Sequence, residues 1–548
     1  MSKTVRPILI VLLFSILGIT WFFNLNYYKL FNPDESRYAQ IAREMNQTGD
    51  FITPHLNGVK YLEKPALHYW INAFFFKILG ECEASARLWS ATAGFLSVLF
   101  LFFVARRLYG IRVALFSSLV LICSPLFYGV GHLNNLDMGL NLFLEMAFGF
   151  MLLSQQKGIT KKEEKKWLLC MWAAMGLSFM TKGLIGALLP FLVLISYTFL
   201  ARDWQLWKKL YWGQGLVIFL LIVLPWFAIV SIKNPEFLHF FFIHEHFERF
   251  ITGHNWHLEP FWYFIPIGFA GLFPWCFCFP LALRENFKNK EKNFLFHRRL
   301  TFLWALVIFL FFSSSSSKLI TYILPIYPAL ALMIGSYLEK QDFRFYLWAG
   351  LLCALFALTG IITFSPLTSL HEKFSRPELH QNFFIWVMIA SMIFFVASIL
   401  AIILSRKKKT FSAICLFSVL TLLSFQICLI GYSEFSPKFS SYELAQVISP
   451  YVKKETKLYY LGQYDHGVTY YLNHQAIVVY FMGELEFGLK HGDQEWIHDY
   501  DEFASVWENL PPHSAVAVMR TDIFQLIQKK NLSMKILFQD ARRVAIGR

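Results

Sequence analysis

Two adjacent carboxylates, Asp34 and Glu35, follow an apolar run over residues 7–23 that is long enough to span a bilayer. A carboxylate pair at a low-dielectric boundary suits a general base or a metal ligand. The structural alternative is a helix N-terminus, in which Asp34 follows Pro33 as the N-cap or as a first-turn acid. The residues alone leave both interpretations open.

A second candidate is Glu63-Lys64, directly before Pro65. A lysine at a loop-to-helix junction, with Pro65 at the first helical position, offers a cation and free backbone N–H groups, which suit a phosphate. The alternative is that Lys60 and Lys64 extend along the membrane surface to lipid headgroups.

Three further groups have residue types that could do chemistry. Asp137 stands at the mouth of an apolar span, where a carboxylate is costly unless it faces a cavity or caps the helix. The run 244–250 holds a His-x-His pair that includes His246, a generic metal spacing, and Arg249, a bidentate phosphate ligand. Lys318 and Tyr322 open another span, where an aromatic-belt tyrosine is the alternative.

Together these residues predict an outer-face cavity with carboxylates, cations and aromatic walls. Such a cavity suits the transfer of a group from a lipid phosphate carrier.

The composition places these groups in a membrane protein. Of 548 residues, 56% are hydrophobic and 16% charged, and mean hydropathy is +0.46. A soluble protein of this size would carry far more charge. The eight cysteines show neither a disulfide pattern nor a zinc spacing, and we read the net charge of +14 as membrane topology, not nucleic-acid binding.

The distribution of Lys and Arg predicts the topology. With the N-terminus inside, 25 of the 50 basic residues fall in short loops on one face, which predicts a cytoplasmic N-terminus and an outer C-terminus. All the groups named above then lie on the outer face. Thirteen apolar runs of spanning length are present, at 6–24, 85–105, 111–129, 135–155, 167–182, 184–201, 211–231, 260–283, 301–315, 319–338, 346–364, 381–404 and 410–431.

We therefore predict a polytopic α-helical membrane domain over residues 1–431, with two amphipathic helices, 35–48 and 64–80, in its outer loop 25–84. Residues 432–548 are more polar and predict a small soluble α/β domain with helices near 441–453, 499–508 and 521–530. Its glycines fit no nucleotide-binding fingerprint, so we expect no nucleotide cofactor. Apolar runs at 458–461, 476–481, 515–519 and 536–538 are its predicted strands.

The first outer loop resembles that of the aminoarabinose lipid A transferases, which share the GT-C fold with the protein O-mannosyltransferases. The resemblance rests on residues 33–45, 49–50, 54–56, 58, 61–65 and 69–70, and it continues at 245–250, 260–263, 274–275 and 321–325. It covers most of the membrane domain. The tail is least similar.

The resemblance implies a role for each candidate. Asp34 matches a catalytic carboxylate, Glu35 completes its motif, and Asp137 matches a second acidic residue at the cavity. Lys64 and Arg249 match ligands of the undecaprenyl phosphate group, and Tyr322 matches a tyrosine in a loop that reorders when the carrier lipid binds; we add Lys318 to the donor-phosphate group. Glu63 and His246 match a pair that holds a divalent metal such as zinc.

The implied reaction is the inverting transfer of a sugar, with 4-amino-4-deoxy-L-arabinose as leading donor group, from undecaprenyl phosphate to a lipid A phosphate at the periplasmic face of a bacterial inner membrane. Galactosamine as the sugar, or a protein Ser/Thr or surface glycan as acceptor, are alternatives within the same mechanism. A transporter or flippase is a more distant alternative, since transporters place paired charges near the membrane midplane, often in repeats.

Overall fold

The computed structural model describes residues 7–248, 258–288, 295–364, 381–492 and 494–548. It divides into two compact units. We call Met1–Leu25 with Arg87–Tyr432 the helical unit, and Asn26–Ala86 with Ser433–Arg548 the α/β unit.

The helical unit is built from long apolar helices, because a helix satisfies its own backbone polar groups where no water is available. Among the residues described in this unit, one π-helix, His239–Glu248, and two 3-10 helices, Trp275–Cys278 and Ile320–Ile326, interrupt the series. The α-helices are Pro7–Phe22, Glu83–Tyr109, Ile111–Ile122, Pro125–Gly131, Leu136–Ser154, Lys161–Lys182, Ile185–Ala201, Gln205–Lys208, Trp212–Lys233, Phe264–Gly271, Phe279–Lys288, Leu295–Ser314, Tyr327–Leu338, Phe343–Phe364, Gln381–Arg406 and Thr410–Gly431.

Among the described residues, eight helices are long and apolar enough to cross a membrane, or up to ten if two bent pairs each form one span. The bent pairs are Ile111–Ile122 with Pro125–Gly131, at 67°, and Phe264–Gly271 with Trp275–Phe287, at 107°. Every predicted apolar run falls on a helix or on one of these pairs. The predicted fold class is thus confirmed, while the number of thirteen crossings stays a prediction.

One helical hairpin matters for the site. The helix Leu136–Ser154 packs closely along Lys161–Lys182, which begins with a capping box between Thr160 and Glu163. Since the connecting loop is short, the start of the first helix lies beside the end of the second. This geometry brings Asp137 next to Lys182.

The N-terminal part of the α/β unit contains the helices Asp34–Thr48 and Leu67–Leu79. Between them lies a two-stranded antiparallel ribbon of β1 (His55–Leu56) and β2 (Val59–Lys60). The second helix begins at Leu67, two residues after the predicted first helical position. The first helix buries residues on all sides, from Glu35 to Met45, so it is an interior helix of this unit and not one with a single buried face.

The C-terminal part is a six-stranded mixed sheet. Its strands are β3 (Lys457–Leu461), β4 (Ala476–Val479), β5 (Trp496–Ile497), β6 (Ala515–Arg520), β7 (Lys535–Gln539) and β8 (Arg543–Gly547). Their order in the sheet is β5-β4-β3-β6-β8-β7, parallel from β5 to β6, with β8 antiparallel to both of its neighbours. Tyr459, Phe503 and Trp507 pack in its core. The helices are Ser436–Phe439, Tyr442–Ile448, His466–Leu472, Glu486–Lys490, Tyr500–Glu508 and Thr521–Gln528, with 3-10 turns at Tyr432–Phe435, Ser449–Tyr451 and Gly483–Leu485.

This α/β domain matches the prediction, with the addition of residues 26–86. The sequence pattern placed those residues with the membrane helices, whereas the structure groups them with the C-terminal sheet. The reason is a set of buried polar contacts between the two parts of the unit.

Candidate functional site

Asp34 presents an accessible carboxylate at the first residue of the helix Asp34–Thr48. Its side chain is 51% exposed and forms an ion pair with Arg37, one helical turn later. Asp34 makes no side-chain cap bond, and the residue at the cap position is Pro33. The predicted first-turn acid is therefore present, and its carboxylate remains open to a reactant.

Arg37 links this carboxylate to the C-terminal sheet. Its Nη1 donates to Glu484 Oε2 at 2.9 Å, and the other Glu484 oxygen pairs with His466 Nε2. Burial disfavours the charge on Arg37, but Tyr61, Glu484 and Asp34 around it raise the pKa of its guanidinium well above the usual value. Arg37 is a permanent cation beside Asp34.

His466 and Glu484 follow the parallel strands β3 and β4, at the carboxyl edge of the sheet. Open α/β sheets bind their ligands at this edge. In this chain, Glu484 at the edge binds Arg37 of the helix that begins with Asp34.

The residue two before Asp34 is anchored separately. Asn32 donates its backbone N–H to the Phe439 carbonyl at 2.9 Å, and its side-chain amide to Ser441 Oγ at 2.7 Å and Asp465 Oδ1 at 2.9 Å. Asp465 also accepts bonds from the Ser441 hydroxyl and, as an N-cap, from the Val468 N–H at 3.1 Å. A buried guanidinium, Arg543, lies 3.8 Å from the same carboxylate. The buried network fixes the turn that presents Asp34.

Glu35 points the other way. It is buried, and its Oε2 accepts the Phe31 N–H at 3.0 Å. Its carboxylate closes the turn between Phe31 and the helix, so the structure gives this motif residue a positioning contact.

The second predicted motif lies close to the first. The buried Tyr61 hydroxyl donates to Glu63 Oε2 at 3.1 Å, and Tyr61 is near enough to Arg37 to affect its charge. Burial, together with the Glu63 carboxylate, raises the pKa of Tyr61 well above its usual value, so this hydroxyl stays a donor. Lys64 Nζ donates to the Glu63 carbonyl at 3.0 Å. The α/β unit thus groups Asp34, Arg37, Tyr61 and Glu63, with Lys64 directly following.

In the helical unit the structure brings Asp137 and Tyr322 to one lysine. Lys182 Nζ pairs with the Asp137 carboxylate and lies 4.7 Å from the centre of the Tyr322 ring. Asp137 is not the cap of its helix: Asn135 Oδ1 accepts the Asp137 N–H at 2.9 Å and the Met138 N–H at 3.2 Å. The buried carboxylate is therefore available to balance the charge of Lys182.

Lys318 has a different environment from the one predicted. It is buried, and its ammonium donates to the backbone carbonyls of Ser315 and, at 2.8 Å, Glu259. Such contacts tie the chain before the Ile320–Ile326 turn to the segment before Tyr263. A phosphate ligand would have to replace these carbonyl contacts.

Comparison with known proteins identifies the family. A family model described as "Aminoarabinose transferase C-terminal domain" matches residues 444–548, and one described as "Dolichyl-phosphate-mannose-protein mannosyltransferase" matches residues 63–229. An undecaprenyl phosphate-alpha-4-amino-4-deoxy-L-arabinose arabinosyl transferase of Edwardsiella ictaluri is 32% identical over 72% of each chain. The protein of that name from Aeromonas hydrophila is 31% identical over 70% of this chain and 71% of its own. This chain belongs to the arabinosyl transferase family.

Solved structures agree with this assignment. The crystal structure of ArnT from Cupriavidus metallidurans bound to undecaprenyl phosphate matches 99% of this chain and 98% of its own, with a TM-score of 0.91 and 33% identity. The archaeal oligosaccharyltransferase AglB of Archaeoglobus fulgidus covers 94% of this chain with a TM-score of 0.53 at 11% identity, which shows a shared fold alone. The family resemblance predicted from the first outer loop is confirmed.

The structure does not describe two of the predicted ligands, one for the donor phosphate and one for a metal. Arg249 and the side chain of His246 lie outside the described residues, so their predicted roles stay predictions. Within the described residues, no cluster of three or more His, Cys, Asp or Glu side chains is placed to hold a metal ion. Glu63 alone is one carboxylate already bonded to Tyr61, and we derive no step through a metal.

Sequence reasoning missed Lys182, Glu484 and His466. Lys182 could have been found, because it closes the apolar run 167–182 and a charged residue inside a span usually pairs with an opposite charge. Glu484 and His466 gave no local signal, since Glu484 pairs with Arg37, more than 400 positions away, and His466 is linked to Arg37 only through Glu484.

Removing one member of the Asp137–Lys182 pair should destabilise this arabinosyl transferase homologue. Both side chains are nearly buried, and a lone charge left there costs about 3 kcal/mol. We expect Asp137→Asn to lower the melting temperature in detergent, and the double variant Asp137→Asn/Lys182→Met to recover most of the loss. A double variant no more stable than the single one would contradict the pairing. Transfer that stays absent in the stabilised double variant would assign Asp137 or Lys182 a part in the reaction.

Proposed function

We propose that this chain transfers 4-amino-4-deoxy-L-arabinose from undecaprenyl phosphate to a phosphate of lipid A. The observation that carries the proposal is the exposed Asp34 carboxylate, which pairs with Arg37. Arg37 is part of a largely buried set of polar contacts. The same unit also contains Lys64, the predicted phosphate ligand. The relatives named for this activity, and the match to ArnT bound to undecaprenyl phosphate, support the donor.

The proposed reaction takes place at the anomeric carbon of the sugar. A phosphate oxygen of the acceptor forms a new bond to this carbon from the face opposite the donor phosphate, and the bond to the donor phosphate breaks. Undecaprenyl phosphate leaves with the electron pair and the configuration inverts. No external oxidant or nucleotide is consumed.

The cations stabilise the negative charge of the leaving phosphate. Charge develops on the leaving phosphate, and Lys64, with Arg249 as a second predicted ligand, balances it. Pre-placed cations in a site with little water stabilise such charge without reorganising during the reaction.

Asp34 acts on the acceptor side. A lipid A phosphate is already largely ionised at neutral pH, so Asp34 orients the acceptor and offsets positive charge on the sugar ring. A hydroxyl acceptor would instead require Asp34 to remove a proton. Arg37 pairs with the carboxylate and fixes its position.

The proposed orientation places the N-terminus in the cytoplasm and the α/β unit in the periplasm of an inner-membrane protein. It is supported by the basic residues, half of which fall in short loops on the face assigned to the cytoplasm. The proposed divalent metal at Glu63 and His246 rests on the resemblance alone.

Mass spectrometry of lipid A tests the proposal in cells. The host lacks its own transferase and makes the charged carrier lipid. We expect a mass increment of one aminopentose when this gene is expressed. A hexosamine increment would change the sugar, and unmodified lipid A beside a well-expressed protein would contradict lipid A as the acceptor.

Replacing Lys64 by Ala should weaken binding of undecaprenyl phosphate about tenfold or more, because a charge-assisted hydrogen bond to phosphate is lost. Binding to the purified protein can be measured by tryptophan fluorescence. Lys77→Ala, an exposed lysine at the end of the helix Leu67–Leu79, is the matched control and should leave the affinity unchanged. Equal affinities of the two variants would move the phosphate site elsewhere.

A further inference from the structure

The helical unit contains an apolar cavity that none of the candidate site residues above lines. It has a volume of about 310 Å³ and is lined by parts of the segments 274–281, 338–353 and 401–417. Two of its lining residues are exposed, Trp348 at 69% and Leu352 at 51%. The cavity therefore opens to the outside of the helix bundle. An apolar space on the lipid-facing side of a membrane protein suits a hydrocarbon chain.

The cavity lies near the basic ends of three helices. Phe345 and Tyr346 follow the start of Phe343–Phe364, Ser405 is at the end of Gln381–Arg406, and Ala413 is in the first turn of Thr410–Gly431. Five exposed cations cluster at this end: Arg344 and the run Arg406, Lys407, Lys408 and Lys409.

Two of these cations meet over one ring. Lys408 Nζ lies 5.7 Å from the centre of the Phe343 ring, and the Arg344 guanidinium lies 6.0 Å from it. The acidic residue next to them, Asp342, uses its Oδ1 to accept the N–H groups of Arg344 and Phe345 at 3.1 Å. Within the described residues, no carboxylate is within ion-pair distance of Arg344 or Lys408, so their charge is available to an anion.

A buried hydroxyl, that of Ser405, lines the cavity directly before the basic run 406–409. Ser405 is fully buried, lines the cavity, and its Oγ has no hydrogen-bond partner among the described residues. A serine in an apolar helix ordinarily donates to the carbonyl of the preceding turn. Here the hydroxyl is an unused donor one helical turn from Lys408.

We propose that this cavity binds an anionic phospholipid. Its phosphate contacts Arg344 and Lys408, an ester carbonyl accepts the Ser405 hydroxyl, and one acyl chain fills the cavity. The three parts follow the order of groups in a glycerophospholipid, from charged headgroup through ester to hydrocarbon. Basic pockets between membrane helices are the usual place for such lipids. In the proposed orientation, the lipid comes from the cytoplasmic leaflet.

Native mass spectrometry of the full chain in detergent tests this site. The protein is titrated with phosphatidylglycerol and, separately, with phosphatidylcholine of the same acyl chains. We expect phosphatidylglycerol to bind more tightly by about 25-fold, since each of the two headgroup cations contributes about fivefold. Equal affinity for the two lipids would overturn the headgroup assignment.

Three variants divide the proposal into its parts. The Arg344→Gln/Lys408→Gln variant should lose the preference for phosphatidylglycerol. Ser405→Ala should lower the affinity for both lipids about three- to fivefold. Ala401→Phe should fill the space of the acyl chain and abolish binding of both lipids. Lys161→Gln/Lys162→Gln removes the same charge from another exposed helix end and should bind as the unaltered protein does. If Ala401→Phe does not fold, the Arg344→Gln/Lys408→Gln variant still decides the test, because both of its positions are exposed.

Unchanged binding of phosphatidylglycerol by the Arg344→Gln/Lys408→Gln variant would overturn the proposal. So would undecaprenyl phosphate that displaces phosphatidylglycerol at equal concentration, because the cavity would then belong to the carrier lipid.

Discussion

Replacing Asp34 by Asn will lower the transfer rate by orders of magnitude and leave the protein folded. The substitution keeps the shape of the side chain and removes its charge, so the acceptor loses its orienting carboxylate. We expect the transfer rate to fall by about 10²–10³-fold, the range found when one preorganised group that stabilises transition-state charge is removed. The Asp34–Arg37 pair is half-exposed on the Asp34 side, and such pairs contribute little to stability.

The measurement is the transfer rate of purified protein, together with its melting temperature in the same detergent. Asp522→Asn is the matched control, because Asp522 is also an exposed carboxylate paired with an arginine of the α/β unit. A well-folded Asp34→Asn protein that transfers sugar at the rate of the Asp522→Asn control would remove Asp34 from the reaction.

The second large effect is expected at Asp465, which touches neither substrate nor Asp34 directly. Asp465→Ala removes acceptors from Asn32, Ser441 and the Val468 N–H, and it leaves Arg543 with Asp540 as its carboxylate partner. Loss of one partner from a buried polar network costs about 3–5 kcal/mol. Since Asp540 still pairs with Arg543, we expect about 3 kcal/mol.

Two readouts distinguish positioning from general stability. Hydrogen exchange should accelerate in residues 30–38 of the Asp465→Ala protein, and kcat should fall more than KM rises. Asp522→Ala, an exposed substitution in the same unit, should change stability by less than about 0.5 kcal/mol. If exchange around Asn32 is the same in the two variants, the network does not hold the Asp34 turn.

Most elements of this protein were readable from its sequence because they are local. Apolar runs give the membrane helices, and short apolar runs give β3, β4, β6 and β7. Ser449-Pro450 ends the α-helix Tyr442–Ile448 earlier than its apolar pattern predicted, since the chain continues there as a 3-10 turn. Strand β5 has only two residues, which is too short for an alternating pattern of apolar and polar residues to reveal it.

The arrangement of the site was only partly readable. Asp34 and Glu63-Lys64 are close in sequence, and their shared unit follows from the one helix and the ribbon between them. The contacts that fix Asp34 join Asn32 to Asp465 and Arg37 to Glu484, pairs separated by 433 and 447 positions. No local pattern encodes such pairs. The opposite orientations of Asp34 and Glu35 also depend on these contacts, so the sequence could not distinguish the two carboxylates.

The most direct test of the account is transfer by the purified protein in detergent with two defined lipids, undecaprenyl phosphate-linked aminoarabinose and lipid A. Both products are measured by mass spectrometry over time. The account predicts that modified lipid A and free undecaprenyl phosphate appear in equal amounts, and that neither appears with Asp34→Asn. Release of undecaprenyl phosphate without modified lipid A, or equal product from Asp34→Asn, would contradict it.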